Sequence, residues 1–125
     1  MKDRERAPRV LLTETAELLS LLATRALYEE QPELWRLGEY GRARTLEDFG
    51  HHFRALATLE KDVFEAHVRY CNELFKARGF PLRWLDDAWR HMENVIPREL
   101  PPVAAEPALD ILREVTGSAA TTGGA

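Results

Sequence analysis

Cys71 is the only cysteine in 125 residues. One thiol forms no internal disulfide, and within a helical pattern it reads as a buried, reduced side chain. Long apolar runs are also missing. None approaches the ~20 residues that span a bilayer, and the charged start MKDRERAPRV is not followed by a stretch long enough for a signal sequence. Basic excess is absent: 17 Lys and Arg stand against 21 Asp and Glu, a net charge of -4. That balance argues against broad binding to nucleic acid or an anionic membrane. The expectation is a cytoplasmic protein with no nucleic-acid and no membrane partner.

Catalytic and metal signatures are missing too. There is no C-x-x-C, H-E-x-x-H, G-x-S-x-G or phosphate-binding glycine loop, and no E-x-x-H pair of the di-iron bundles. No nucleophile–base arrangement can be defended, so an enzyme is not expected. No metal site is expected from spacing alone.

What remains is helical periodicity. Residues 1–9 read as a flexible N-terminus, residues 10–115 as one helical domain and residues 116–125 as a small, polar, disordered tail. A first helix is expected from Val10 to Glu30. It carries adjacent stripes of Leu11, Thr15, Leu18, Leu22 and of Leu12, Leu19, Ala23, Ala26, Leu27. Pro32 stops it, and Gly38 and Gly41 mark a loop around Tyr40. A second helix runs from about Arg44 to Leu59, with Leu46, Phe49, Phe53 and Leu56 on one face.

A third helix runs from about Asp62 to Arg78. Its stripes are Val63, His67, Tyr70, Leu74 and Phe64, Val68, Cys71, Phe75. Gly79 can close it in the left-handed conformation, and Pro81 can open the next helix, which reaches about Val95. That fourth helix has two apolar stripes, Leu82, Leu85, Trp89, Met92 and Trp84, Ala88, His91, Val95, and so reads as covered on more than one side. Pro97, Pro101 and Pro102 suggest a stiff linker before a last helix over about residues 106–115. The fold class is all-α, a bundle of about five helices.

Some side chains have two readings. His67 lies on an apolar stripe. It is either a haem-iron ligand or a core-edge histidine bonded to backbone, and His91 is the second such haem-ligand candidate. His51 and His52 are adjacent, point about 100° apart and cannot both face one ligand. Thr45 and Asp48 have the spacing of a capping box at a helix start. Alternatively, Asp48 accepts hydrogen bonds from pyrrole N–H groups while Arg44 or Arg42 pairs with a propionate.

The segment Thr45 to Arg54, T-L-E-D-F-G-H-H-F-R, resembles the phycobiliprotein signature C-L-R-D-x-D-Y-Y-L-R. Around it, Ala26-Leu27-Tyr28 with Pro32-Glu33-Leu34, Tyr40-Gly41, Lys76 to Pro81 and Arg90 to Val95 resemble further family motifs in the same order. Leu109-Asp110-Ile111 is a weaker match to the last helix. The match covers about residues 20–115. It implies a globin-like, phycobiliprotein-like fold in which a linear tetrapyrrole, a bilin, lies between the signature helix and those after it.

Carried over, Thr45 stands where the family's attaching cysteine lies, and a hydroxyl does not form that thioether. Glu47 stands where an arginine usually holds a propionate. Asp48 matches the aspartate at the pyrrole nitrogens, Arg44 a lysine found in some members, and His51 and His52 the paired tyrosines. The family's additional N-terminal pairing helices are not found ahead of the match, and the stretch from Arg54 to Pro81 is shorter than in typical members.

A conventional antenna subunit is therefore not expected. Bilin-free versions of the domain are associated with bacterial sensing and regulation, so the first expectation is a non-antenna regulatory or protein-interaction module without a covalent chromophore. In that case histidines and tryptophans serve a homodimer or a regulatory partner. The alternative is non-covalent binding of a tetrapyrrole, a bilin rather than haem, with Asp48, Arg44, Arg42, His52 and Trp84 as cofactor-binding residues and an aromatic pocket from Phe49, Phe53, Tyr70, Phe75 and Trp84.

Overall fold

The apolar stripes close into five α-helices: α1 (Lys2–Glu30), α2 (Gly38–Ala57), α3 (Lys61–Arg78), α4 (Arg83–Glu99) and α5 (Pro102–Thr116). A 3-10 helix, Pro32–Leu37, joins α1 to α2. The structure is a computed structural model that describes residues 2–117. Among them there is no strand, and no helix is long and apolar enough to cross a membrane. Most of the tail expected to be disordered, residues 118–125, lies outside the described residues.

Several boundaries differ from the sequence reading. Helix α1 starts at Lys2 rather than Val10, with Pro8 inside it. The expected loop around Tyr40 is helical. The chain leaves Pro32–Leu37 through Gly38, whose φ of 77° and ψ of -173° suit glycine, and enters α2 at once. Gly41 completes this junction, because a Cβ there would sit 2.6 Å from Leu37 Cβ. The two glycines thus fit a tight helix-to-helix step rather than a loop.

The proline linker also shrinks. Pro97 falls in the last turn of α4, and Pro102 takes the first position of α5, where its missing N–H costs nothing. Only Leu100 and Pro101 separate the two helices. The expected end of α3 is met: Gly79 caps it at φ 71°, accepting the left-handed conformation.

Of the two stripes on α1, Leu12, Leu19, Ala23 and Leu27 enter the core, whereas Leu18 is exposed. They meet Phe49, Phe53 and Leu56 of α2, Phe64 of α3, Trp89, Met92 and Ile96 of α4, and Ala104, Ala108 and Leu112 of α5. Burying an apolar side chain of this kind contributes about 1.5–3 kcal/mol. Ser20 and Thr24 are buried on the same helix, and their hydroxyls donate to Ala16 O and Ser20 O at 2.7 and 2.8 Å. Helix α4 buries its two stripes from Leu85 to Val95, as its wide apolar face predicts, whereas Leu82 precedes the helix and is exposed and Trp84 is half-buried.

Backbone packing sets the position of the site. Helix α4 lies against α1 and α5, and α3 lies against α2 and α5. Helix α4 meets α2 and α3 through large side chains instead: the Trp89 indole touches the His52 ring (centroids 4.7 Å apart) and the Phe64 ring (6.0 Å). On one side of Trp89 the α2–α3 hairpin and the start of α4 stand apart and leave a cleft.

Candidate functional site

The α2–α3 hairpin turns through Thr58, Leu59 and Glu60. Leu59 has φ 53°, rare for a residue with a side chain, and the Glu60 N–H donates to Thr58 Oγ1 at 3.2 Å. His52 lies seven residues before Leu59 and His67 eight after it, so an antiparallel pair of helices brings them level. One turn further from the bend, Asp48 on α2 and Cys71 on α3 are also level. The contacts follow this register. His52 Nδ1 and His67 Nε2 share a hydrogen bond of 2.8 Å, and Cys71 Sγ lies 3.5 Å from the same His67 nitrogen.

These residues border a cleft of about 730 Å³ between the end of α1, the 3-10 helix, the hairpin and the start of α4. Phe75, Phe80 and Trp84 form an aromatic run along it, with centroids 5.4 and 5.6 Å apart. Tyr40 and Tyr70 also line it and are largely exposed. Its cations are Arg44 and Arg78, and its acids include Glu47 and Asp48.

Burial decides the charge states. It pushes the Asp48 carboxyl above its ordinary value, against the opposing pull of Arg44 and His51. It pushes the His52 ring down to about 3, helped by His67 and His51. His67 is lowered by burial as well. The Cys71 thiol is pushed up to about 11 by burial and by the charge of Asp48. At neutral pH both imidazoles and the thiol are therefore uncharged.

The residues singled out in the sequence divide into two groups. Asp48, Arg44, His52, His67 and Trp84 all line the cleft. Arg42 does not; its guanidinium lies over the Trp35 ring, 6.0 Å from the centroid. His91 is buried elsewhere, with Nε2 2.9 Å from Glu30 Oε1. Arg90 grips the same carboxylate through two bonds of 2.9 Å, and these partners hold Glu30 down to about 2.

The capping box expected at Thr45 and Asp48 does not form. Helix α2 begins about two turns earlier, and Thr45 Oγ1 donates to Gly41 O at 3.0 Å. Asp48 is therefore free of the local role that competed with a ligand role. The surface assigned to histidines and tryptophans also changes, since His52, His91 and Trp89 are buried while Trp35 and His51 are exposed.

No family model, curated protein or solved structure matches this chain.

Arg78, Phe80 and Cys71 line the cleft but are not marked as site residues by the sequence: Arg78 reads as the end of α3, Phe80 as part of the turn after it, and Cys71 as a core thiol. The signal for Cys71 was the paired pattern D-x-x-x-H and H-x-x-x-C, arranged symmetrically about Leu59.

Proposed function

We propose that this chain is a non-covalent binding module for a flat, conjugated, carboxylate-bearing ligand of the linear-tetrapyrrole class. The observation that carries this reading is the cleft. Its volume of about 730 Å³ falls within the ~300–1,000 Å³ of small-molecule sites. Phe75, Phe80 and Trp84 offer faces for a conjugated plane, Asp48 offers an acceptor for pyrrole N–H groups, and Arg44 and Arg78 offer partners for propionates. The motif order around Thr45 to Arg54 and the all-α architecture support a globin-like, phycobiliprotein-like origin. Thr45 supports a non-covalent, non-antenna role.

A bilin fits this lining better than haem. A haem needs an axial imidazole standing alone over the iron, whereas His67 is grouped with His52 and Cys71 in one cluster and His91 is held by Glu30 outside the cleft. A sensing or regulatory role in the cytoplasm is the setting we assign, consistent with an uncharged, buried thiol at Cys71.

The test is expression with biliverdin and, separately, with haem. A stoichiometric visible band that survives gel filtration with biliverdin, and disappears in denaturing acid solvent, is the expected result. Asp48→Ala is expected to weaken retention about tenfold, the loss of one charge-assisted hydrogen bond. If no pigment co-elutes in either preparation, the reading fails.

A second reading rests on the apolar side chains exposed at the cleft: Leu37, Tyr40, Tyr70 and Phe80. On that reading they serve a homodimer or a regulatory protein partner, and light scattering of the purified chain at several concentrations reports the dimer directly.

A further inference from the structure

The geometry points to a divalent transition-metal site of the zinc class at the floor of the cleft, with His52 Nδ1, His67 Nε2 and Cys71 Sγ as its three protein ligands. The three ligand atoms lie within 4.8 Å of one another. Zinc–nitrogen and zinc–sulfur bonds of ordinary length at a tetrahedral angle place two nitrogens about 3.3 Å apart, and a nitrogen and a sulfur about 3.6 Å apart. Cys71 Sγ and His67 Nε2, at 3.5 Å, already have the second spacing. His52 Nδ1 and His67 Nε2, at 2.8 Å, need to separate by about half an ångström, a small rotation of two rings.

The donor set suits a borderline-soft cation, because one thiolate and two imidazoles exclude magnesium and calcium chemistry. The support is rigid. His52 is buried against Phe49 and Trp89, whose ring centroids lie 6.0 and 4.7 Å away. His67 and Cys71 share one face of α3, one turn apart.

All three ligands line the cleft, so the fourth position opens onto it. Three protein ligands and an accessible fourth place is the pattern of a reactive zinc site rather than a closed structural one. Asp48 stands one turn from His52 on the same face, and its charge reaches Cys71. It is placed to hold the fourth ligand. When the cation enters, Cys71 gives its proton to solvent, and the proton shared between the two imidazoles moves to an outer ring nitrogen. No electron changes hands.

The inference does not depend on a pigment, and its test uses none. The full chain, stripped with a chelator, is titrated with Co²⁺ and then with Zn²⁺. The expected result is one Co²⁺ per chain, with a thiolate-to-cobalt band in the near ultraviolet and tetrahedral bands in the visible, all erased by one equivalent of Zn²⁺. Cys71→Ser, a near-isosteric change, is expected to remove the ultraviolet band while far-ultraviolet circular dichroism stays helical. His67→Gln, at a half-exposed position, is expected to weaken Zn²⁺ binding by roughly 100-fold, and Asp48→Asn by roughly tenfold. An unchanged spectrum at tenfold excess Co²⁺, or a thiolate-to-cobalt band and Zn²⁺ affinity that are unchanged in His67→Gln, overturns the inference.

Discussion

His52 is a histidine that folding keeps uncharged. Its ring is 5% exposed, packed between aromatic neighbours, and titrates at about 3. In the unfolded chain it takes a proton near 6.5. Between these values the unfolded state binds the extra proton, so stability is complete above about 6.5 and falls as the pH is lowered. The slope is up to about 1.4 kcal/mol per pH unit. His67, also lowered, acts in the same direction. Asp48 acts oppositely at lower pH, since its raised carboxyl takes a proton more readily in the fold. Unfolding free energies from urea titrations at pH 7 and pH 4 are therefore expected to differ by about 3 kcal/mol. In His52→Leu most of that difference is expected to vanish. An unchanged acid limb in that variant contradicts the assignment of a buried neutral ring. At this scale the sequence was informative about identity and poor about grouping. Asp48 and His52 can be picked out from the segment that resembles a known signature, Arg44 from the position just before it, and Trp84 from the aromatic residues. Cys71 cannot, because two of the groups it joins, His52 and Asp48, sit across a turn that no glycine marks.

That turn belongs to the scale of elements. Leu59 holds a left-handed backbone, which costs a residue with a Cβ roughly 1–2 kcal/mol and glycine almost nothing. Leu59→Gly and Leu59→Ala both lose the side chain that packs on the core. Leu59→Gly is expected to be the more stable of the two by about 1 kcal/mol, the reverse of the order inside a helix. Thermal unfolding of the pair measures it.

A second junction pins the end of α1 to α4 through Glu30, Arg90 and His91. The Glu30 carboxyl titrates near 2 rather than 4.5, so its contribution is present above 4.5 and lost as the pH falls through 2. Glu30 is 41% exposed and solvent screens it, which limits Glu30→Gln to about 1 kcal/mol at pH 7. The variant and the native chain are expected to converge in stability near pH 2. Helix existence and the Gly79 stop were legible from periodicity and cap chemistry. The start of α2 was not, because Gly38 and Gly41 have the composition of a loop and the packing of a junction. Pro97 likewise reads as a linker residue but falls in the last turn of α4, and the helix ends two residues beyond it at Glu99.

For the whole molecule, the consequential feature is a space between helices. Periodicity assigns residues to helix faces, and it gives α4 a wide apolar face that is buried from Leu85 onward. It does not give the distance between α4 and the α2–α3 hairpin, which depends on α4 packing its backbone on α1 and α5. The cleft, and the side chains gathered around it, therefore emerge only at this scale. The same cleft joins the two proposals: Phe75, Phe80 and Trp84 are the faces proposed for a conjugated ligand, and His52, His67 and Cys71 are the ligands proposed for a cation. The direct measurement is circular dichroism in the visible range during titration of the purified, metal-free chain with biliverdin. A bound bilin takes on one handed shape, and the account predicts an induced signal that saturates at one equivalent and is weakened about tenfold in affinity by Asp48→Ala. A visible spectrum that stays optically inactive through a several-fold excess of biliverdin contradicts it.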